Sequence, residues 1–121
     1  MNKSLKPHLN PGKYVFVLTD NIYGINEEDI LCLFKEDGKY SLILKKEFAN
    51  KYGMSYNFVA AWISLDIYSS LDSVGLTSMF SKALSDNNIS CNVVAAFNHD
   101  HIFVNYKDKD LAFDILNKLK F

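Results

Sequence analysis

Residues 61–104, AWISLDIYSSLDSVGLTSMFSKALSDNNISCNVVAAFNHDHIFV, decide the fold of the chain. Residues 59–67 alternate between apolar and polar side chains, which is typical of a strand with one buried face. A polar turn at 68–73 follows, with several side chains that can cap a helix. Residues 74–86 then predict an amphipathic helix. Its apolar stripe consists of Leu76, Met79, Phe80, Ala83 and Leu84.

The end of this stretch predicts two paired strands. Residues 89–97 alternate, the turn Asn98-His99-Asp100 follows, and residues 101–105 return as a short strand. Asp108 then caps a last helix. The second half of the chain is therefore predicted to be β, α, β, β, α, a ferredoxin-like split βαβ unit without its last strand. The predicted apolar face of the first of these strands consists of Ile89, Cys91, Val93, Ala95 and Phe97.

The first half predicts three strands and a short helix. Residues 1–13 contain Pro7, Pro11 and Gly12 and indicate an extended arm or loop. Residues 14–18 form an apolar strand, and residues 30–34 and 40–44 form a hairpin around the pair Asp37-Gly38. A helix at 46–52 follows, with Gly53 at its left-handed end.

Composition excludes several classes of function. The chain has 121 residues, a formal net charge of −1, and 13 cationic side chains, all of them lysine. Without arginine, bidentate recognition of phosphate or guanine by side chains is lost, so no nucleic-acid partner is expected. No apolar run is long enough for a membrane span, and no membrane partner is expected. Cys32 and Cys91 are predicted to be reduced, buried thiols of a cytoplasmic protein.

Several segments of the second half together resemble the ACT domain, a ligand-binding regulatory module. These are Leu71-Asp72-Ser73-Val74-Gly75-Leu76, Asn88-Ile89-Ser90-Cys91-Asn92-Val93, and Asn98-His99-Asp100-His101-Ile102-Phe103-Val104, which are similar to the pattern GL…ISCNVV…HDH.FV of small stand-alone ACT-like proteins. The resemblance implies an α+β class, with a ferredoxin-like ACT domain at 59–121 (βαββα) interlocked with an ACT-like half-domain at 1–58 (βββα). The missing edge strand is expected from the N-terminal half, with residues 14–18 as the candidate, or from a partner chain.

The predicted function is non-catalytic binding of a small molecule, an amino acid by the resemblance, for regulation. A helix N-terminus suits a carboxylate, Gly75 permits close approach, and Asp72 can answer an ammonium group. The same residues also suit capping and packing alone. Asn92 is expected to bond across to the turn. The predicted ligand-binding set is Ser70, Asp72, Val74, Gly75, Leu76, Asn92 and His99.

The same sequence allows alternative functions. One alternative is a structural or assembly module without a ligand, and a further one is a small enzyme that uses His99. His99 and His101 could share a metal, but the remaining histidine, His8, lies in the proline-rich arm, so no metal site and no cofactor are predicted. The resemblance implies a homodimer. A regulated partner protein is expected, but the sequence does not identify it.

Overall fold

The computed structural model describes residues 3–68 and 71–121. The described part of the chain forms two compact units. The N-terminal unit is Gly12–Ala60, and the C-terminal unit is the segment up to Pro11 together with Ala61–Phe121. The strands are β1 (Pro7–Thr19), β2 (Cys32–Glu36), β3 (Lys39–Lys45), β4 (Val59–Leu65), β5 (Asn92–Ala95) and β6 (Asp100–Asn105), and the helices are α1 (Lys46–Lys51), α2 (Leu76–Asp86) and α3 (Lys109–Lys118).

The N-terminal unit is a three-stranded antiparallel sheet with α1. Its strand order is β2-β3-β1, with Tyr14 of β1 opposite Lys45 of β3. A 3-10 turn, Glu27–Asp29, lies in the connection between β1 and β2. The predicted hairpin is confirmed, since Asp37 and Gly38 have φ of 52° and 75°, as a tight two-residue turn requires. The core consists of Val15, Val17, Leu42, Leu44 and Ala49.

The C-terminal unit has the strand order β1-β4-β6-β5. Of β1, the first residues, up to Pro11, belong to this unit. Helices α2 and α3 pack against each other. The predicted apolar stripe of α2 is confirmed, because Phe80 and Leu84 are fully buried. Asn88 closes the helix in the left-handed region (φ 60°), which asparagine tolerates. The buried core consists of Leu5, Ala61, Ile63, Leu65, Phe80, Leu84, Ile89, Ile102, Val104, Ala112 and Leu116.

The N-terminal arm was predicted to be an extended arm or loop, and this is wrong from Pro7 onward, where β1 begins. The Lys6 carbonyl accepts a hydrogen bond from the Asp66 N–H (3.0 Å), and the side-chain amide of Asn10 donates to the Trp62 carbonyl (3.3 Å). The edge strand missing from the C-terminal unit is therefore supplied by the start of β1. Residues 14–18, which were predicted for this role, pair with β3. Proline is tolerated here because a strand at a sheet edge leaves half of its N–H groups unpaired.

The strand predicted at 89–97 is shorter, because only Asn92–Ala95 is extended and paired. Ile89 is buried, but Phe97 is 85% exposed at the hairpin tip, so the predicted apolar face does not continue along the segment. The Ala96 N–H bonds to the His99 carbonyl (3.1 Å), which moves the turn one residue earlier than predicted. Asp108 stands at the N-cap of α3 but makes no side-chain cap bond, contrary to the prediction.

The two cysteines are free thiols that are only partly buried, so their predicted full burial is wrong. Cys91 precedes β5 and packs on the edge of the C-terminal core. Partial burial raises the pKa of its thiol, which disfavours the nucleophilic thiolate.

Candidate functional site

The candidate site begins at the turn between β4 and α2. Gly75 is the N-cap of α2, with a left-handed φ of 97° that favours glycine. Its carbonyl accepts hydrogen bonds from the Met79 N–H (3.1 Å) and the Ser78 hydroxyl (3.0 Å). The helix therefore starts at Leu76, two residues later than predicted. Asp72 and Ser73, for which capping was the alternative to ligand binding, precede the N-cap residue Gly75.

A cavity of about 870 Å³ opens beside this turn. Gly75 and the first turn of α2 form one wall, Ile67 and Tyr68 after β4 form a second, and the N-terminal arm with Phe121 forms a third. All of these residues belong to the C-terminal unit. The lining consists of Lys3, Ser4, Lys6, Ile67, Tyr68, Ser73, Val74, Gly75, Leu76, Met79 and Phe121.

The lining combines an apolar surface with two cations. Apolar side chains come from Ile67, Leu76 and Met79, which also contact the core of the unit. The cations are Lys3 and Lys6, both largely exposed to solvent. Such a cavity suits a small molecule with an apolar body and an anionic group.

His99, in the hairpin between β5 and β6, contacts the wall that follows β4. The His99 Nδ1 lies 3.0 Å from the carbonyl oxygen of Ile67. Because a carbonyl only accepts, Nδ1 must carry the proton and donate. The imidazole also contacts the Tyr68 ring, with centroids 4.7 Å apart. His99 therefore fixes two residues that line the cavity, although it does not line the cavity itself.

The predicted site residues are only partly brought together. Val74, Gly75 and Leu76 line the cavity. Asp72 is exposed on the same turn but outside the lining, and Ser70 lies outside the described residues.

Asn92 lies on β5, where its side-chain amide donates to the Phe103 carbonyl (3.3 Å). The expectation that it bonds across to the turn is therefore wrong, because its side-chain amide bonds to a carbonyl of the neighbouring strand instead.

Lys3 and Lys6 were not predicted, because the prolines of the arm favour a loop. Leu5 and Leu9, two apolar residues four positions apart around Pro7, both contact the C-terminal core and were the available sign of a strand there.

A second histidine, His101, is held in its neutral form. The Trp62 Nε1–H donates to the His101 Nδ1 at 3.0 Å, so that nitrogen must carry a lone pair. Burial lowers the pKa of His101, and the nearby His99 lowers it further against the opposing charges of Asp100 and Asp66. Within the described residues, no group of three or more His, Cys, Asp or Glu side chains could hold a metal ion.

The N-terminal unit has a cavity of its own, of about 520 Å³, beside the connection between β1 and β2. Its lining is mainly aliphatic and has one charged side chain, the carboxylate of Glu27. The lining consists of Ile22, Ile25, Glu27, Ile30, Leu31, Cys32 and Leu33.

Comparison with known families identifies the class of protein. Models of the ACT domain match residues 57–118 and residues 1–61. The chain therefore belongs to the ACT domain family, and both halves carry the match. No protein of curated function matches the sequence significantly.

Solved structures share the fold. A Vibrio cholerae protein of unknown function, described as a possible transport protein, is 32% identical with a TM-score of 0.88, covering 98% of this chain and 92% of that one. An Agrobacterium tumefaciens protein is 19% identical with a TM-score of 0.69, covering 91% and 84%. The ligand-free regulatory subunit of aspartate kinase from Thermus thermophilus is 7% identical with a TM-score of 0.66, covering 95% and 97%.

These comparisons confirm the predicted family and the ferredoxin-like ACT fold. They also support a small-molecule-binding regulatory domain, since that is the usual role of the family, and the family is typically non-catalytic. Among the described residues, the helices are too short or too polar to cross a membrane.

Proposed function

We propose that this protein binds an amino acid in the cavity beside Gly75 and acts as a non-catalytic regulatory domain. One observation carries the proposal: the cavity adjoins the turn between β4 and α2, where the ACT resemblance predicts a ligand, and its lining has both apolar and cationic residues. A cavity of about 870 Å³ is within the range of small-molecule sites.

The chemistry of the walls supports binding of the carboxylate end of the ligand. Gly75 is the N-cap of α2, and the backbone N–H groups at the start of the helix can donate hydrogen bonds to an anion. The side chain of the ligand would rest on Leu76 and Met79, with Val74 at the mouth, where it is 97% exposed. Asp72, exposed on the same turn, is the proposed partner of the ammonium group. Roles for Ser70, Asn92 and His99 at the ligand stay predictions.

The proposed context is a cytoplasmic homodimer that reports ligand levels to a separate partner protein. A self-association surface is supported by β2, which lies at an edge of the N-terminal sheet and exposes Phe34 (70%) and Leu33 (36%). Exposed apolar edge strands invite pairing with another chain. Sedimentation velocity would show a dimer that Phe34→Lys dissociates, and a monomer at all concentrations would reject this assembly.

A thermal-shift screen of the purified protein against the twenty amino acids tests the binding proposal. At ten times its Kd, a ligand adds about 1.4 kcal/mol to the free energy of unfolding. One or a few amino acids should therefore raise Tm by roughly 3–8 °C. Asp72→Ala should reduce the shift, because it removes the proposed partner of the ammonium group. The matched control is Asp20→Ala, an exposed acid after β1 in the N-terminal unit, which should leave it intact.

If no amino acid raises Tm, the binding proposal is rejected and an assembly module without a ligand is favoured. Nucleotides and divalent metals belong in the same screen. A shift with zinc alone, lost in His99→Ala, would replace the amino-acid proposal with a metal site.

A further inference from the structure

We propose that Lys3 and Lys6 hold the carboxylate of the ligand, so that the cavity accepts apolar carboxylic acids that lack the amino group, 2-oxo acids included, as well as amino acids. This inference rests on the proposed function, because it concerns the same cavity. It widens the ligand class beyond amino acids and assigns the recognition to residues outside the turn.

The charged side chains among the described lining residues are all of one sign. Two of the described residues that line the cavity are lysines, and none of the described lining residues is acidic. Both acids that flank the turn in sequence, Asp66 and Asp72, lie outside the lining. A carboxylate inside the cavity therefore faces side chains of opposite charge, whereas an amine without a carboxylate faces side chains of like charge. The ammonium group of an amino acid meets its proposed partner Asp72 outside the lining.

The segment that carries the two lysines is fixed in place. The Lys3 N–H donates to the Phe121 carbonyl and the Phe121 N–H donates to the Lys3 carbonyl, both at 3.0 Å. The Lys6 carbonyl accepts from the Asp66 N–H at 3.0 Å, and the Lys6 N–H donates to the Ser4 hydroxyl at 3.1 Å. The backbone beneath both ammonium groups is thus anchored before a ligand arrives, which lowers the entropic cost of binding.

Lys6 also has an unusual backbone conformation. Its φ of 49° lies in the left-handed region, which costs a residue with a Cβ about 1–2 kcal/mol. The residue stays there because its N–H and carbonyl are bonded to Ser4 and Asp66. Strained positions of this kind cluster at ligand sites. Here the strained residue brings a cation to the cavity lining.

The remaining lining explains why an apolar acid is favoured over a small polar anion. Ile67, Met79 and Phe121 supply an apolar wall to the cavity. Burying the body of the ligand against this wall adds affinity in proportion to its apolar area. The hydroxyls of Ser4, Tyr68 and Ser73 are the other polar side-chain groups of the described lining.

Matched triplets of ligands test the inference on the full chain. Each triplet shares one side chain: leucine, its 2-oxo acid (4-methyl-2-oxopentanoate) and its amine (3-methylbutylamine), with the equivalent sets for methionine and phenylalanine. Titration calorimetry at low salt measures all nine compounds. The amino acid and the 2-oxo acid of at least one set should bind within about tenfold of each other, and the amine should not bind.

Lysine variants assign the contact. Lys3→Gln and Lys6→Gln should each weaken the acids about 3-fold, and the double variant about 10-fold, as partly exposed ion pairs do. Lys120→Gln makes the same charge change on the neighbouring exposed residue outside the lining and is the matched control. Binding should also weaken as salt rises.

The outcomes separate this inference from the proposed function. If an amino acid binds and its 2-oxo acid does not, the inference is overturned while the proposed function stands. It is also overturned if the lysine variants bind the acids as the wild type does. If none of the nine compounds binds and the screen of all twenty amino acids is empty, both proposals fail.

Discussion

The two units follow one plan, but they differ in the segment after their first strand. Each unit has a strand, a connection, a two-stranded hairpin and a helix. In the N-terminal unit the connection contains only the 3-10 turn Glu27–Asp29, whereas in the C-terminal unit it contains the 11-residue helix α2. An ACT model matches each half of the chain, so the difference lies within one family plan.

The consequence of this difference is a larger core and another cavity chemistry. Helix α2 buries Phe80 and Leu84, whereas the 3-10 turn buries no residue. The C-terminal cavity has two lysines, and the N-terminal cavity has one glutamate among aliphatic side chains. The connection after the first strand therefore determines which cavity forms beside it, while the strands supply the common frame.

The largest expected effect is on the core beneath α2. Phe80→Ala should lower the free energy of unfolding by about 3–5 kcal/mol, because the side chain is fully buried and leaves a cavity. Ile30→Ala, in the partly buried connection of the N-terminal unit, should cost about 1–2 kcal/mol. Urea unfolding measures both. Equal losses would contradict the claim that α2 carries more of the stability.

Gly75→Ala tests the cap of α2. A Cβ at Gly75 would meet no atom within 4 Å, so its cost is backbone strain alone, about 1–2 kcal/mol. Gly24→Ala in the N-terminal connection (φ 77°, with equally open space) is the matched control and should cost a similar amount. Gly75→Asn should recover part of the loss, since asparagine tolerates this region. A much larger loss at Gly75 would show that crowding, not strain, requires the glycine.

His99→Ala should cost about 1 kcal/mol, because it removes the hydrogen bond to Ile67. His99→Asn should recover most of this, since its amide can donate from nearly the same place. Amide hydrogen exchange around residues 67 and 68 should quicken in the alanine variant and not in the asparagine variant. Identical behaviour of the two variants would reject the role of His99 in holding this wall.

The smallest effect concerns pH. The folded pKa of His101 is lowered, so the unfolded state binds its proton first as the pH falls. Stability contributed by neutral His101 is complete above the unfolded pKa of about 6.5 and is lost as the pH falls from there toward the folded value. Trp62→Phe removes the N–H that faces Nδ1 and should raise the pKa, as followed by NMR titration of the imidazole. A His101 that titrates above 6.5 in the wild type would contradict this.

Elements with strong local signals were predictable from the sequence. The apolar stripe with Phe80 and Leu84 predicted α2, and the pair Asp37-Gly38 predicted the hairpin, because periodicity and turn chemistry act over a few residues. The start of α2 was placed too early because Asp72 and Ser73 are good caps, whereas the left-handed Gly75 takes that position in the structure.

The unpredicted parts depend on contacts between distant segments. The first residues of β1 form a strand beside β4, which is distant in the sequence, and Lys6 and Asp66 are hydrogen-bonded just beyond the two strands. The lysine side of the candidate site follows from that pairing. The turn with Gly75 could be named from the sequence, but Lys3 and Lys6 could not, because no local pattern connects them to α2.

Amide chemical-shift mapping tests whether a ligand binds in the C-terminal cavity. The ¹⁵N-labelled protein is titrated with the amino acids that raise Tm in the thermal screen, or with all twenty in pools. The account predicts that the perturbed amides lie at Ile67, Gly75 and Met79, around the C-terminal cavity. Perturbations at Ile25, Glu27 and Leu31, around the N-terminal cavity, would contradict it, as would spectra that no amino acid changes.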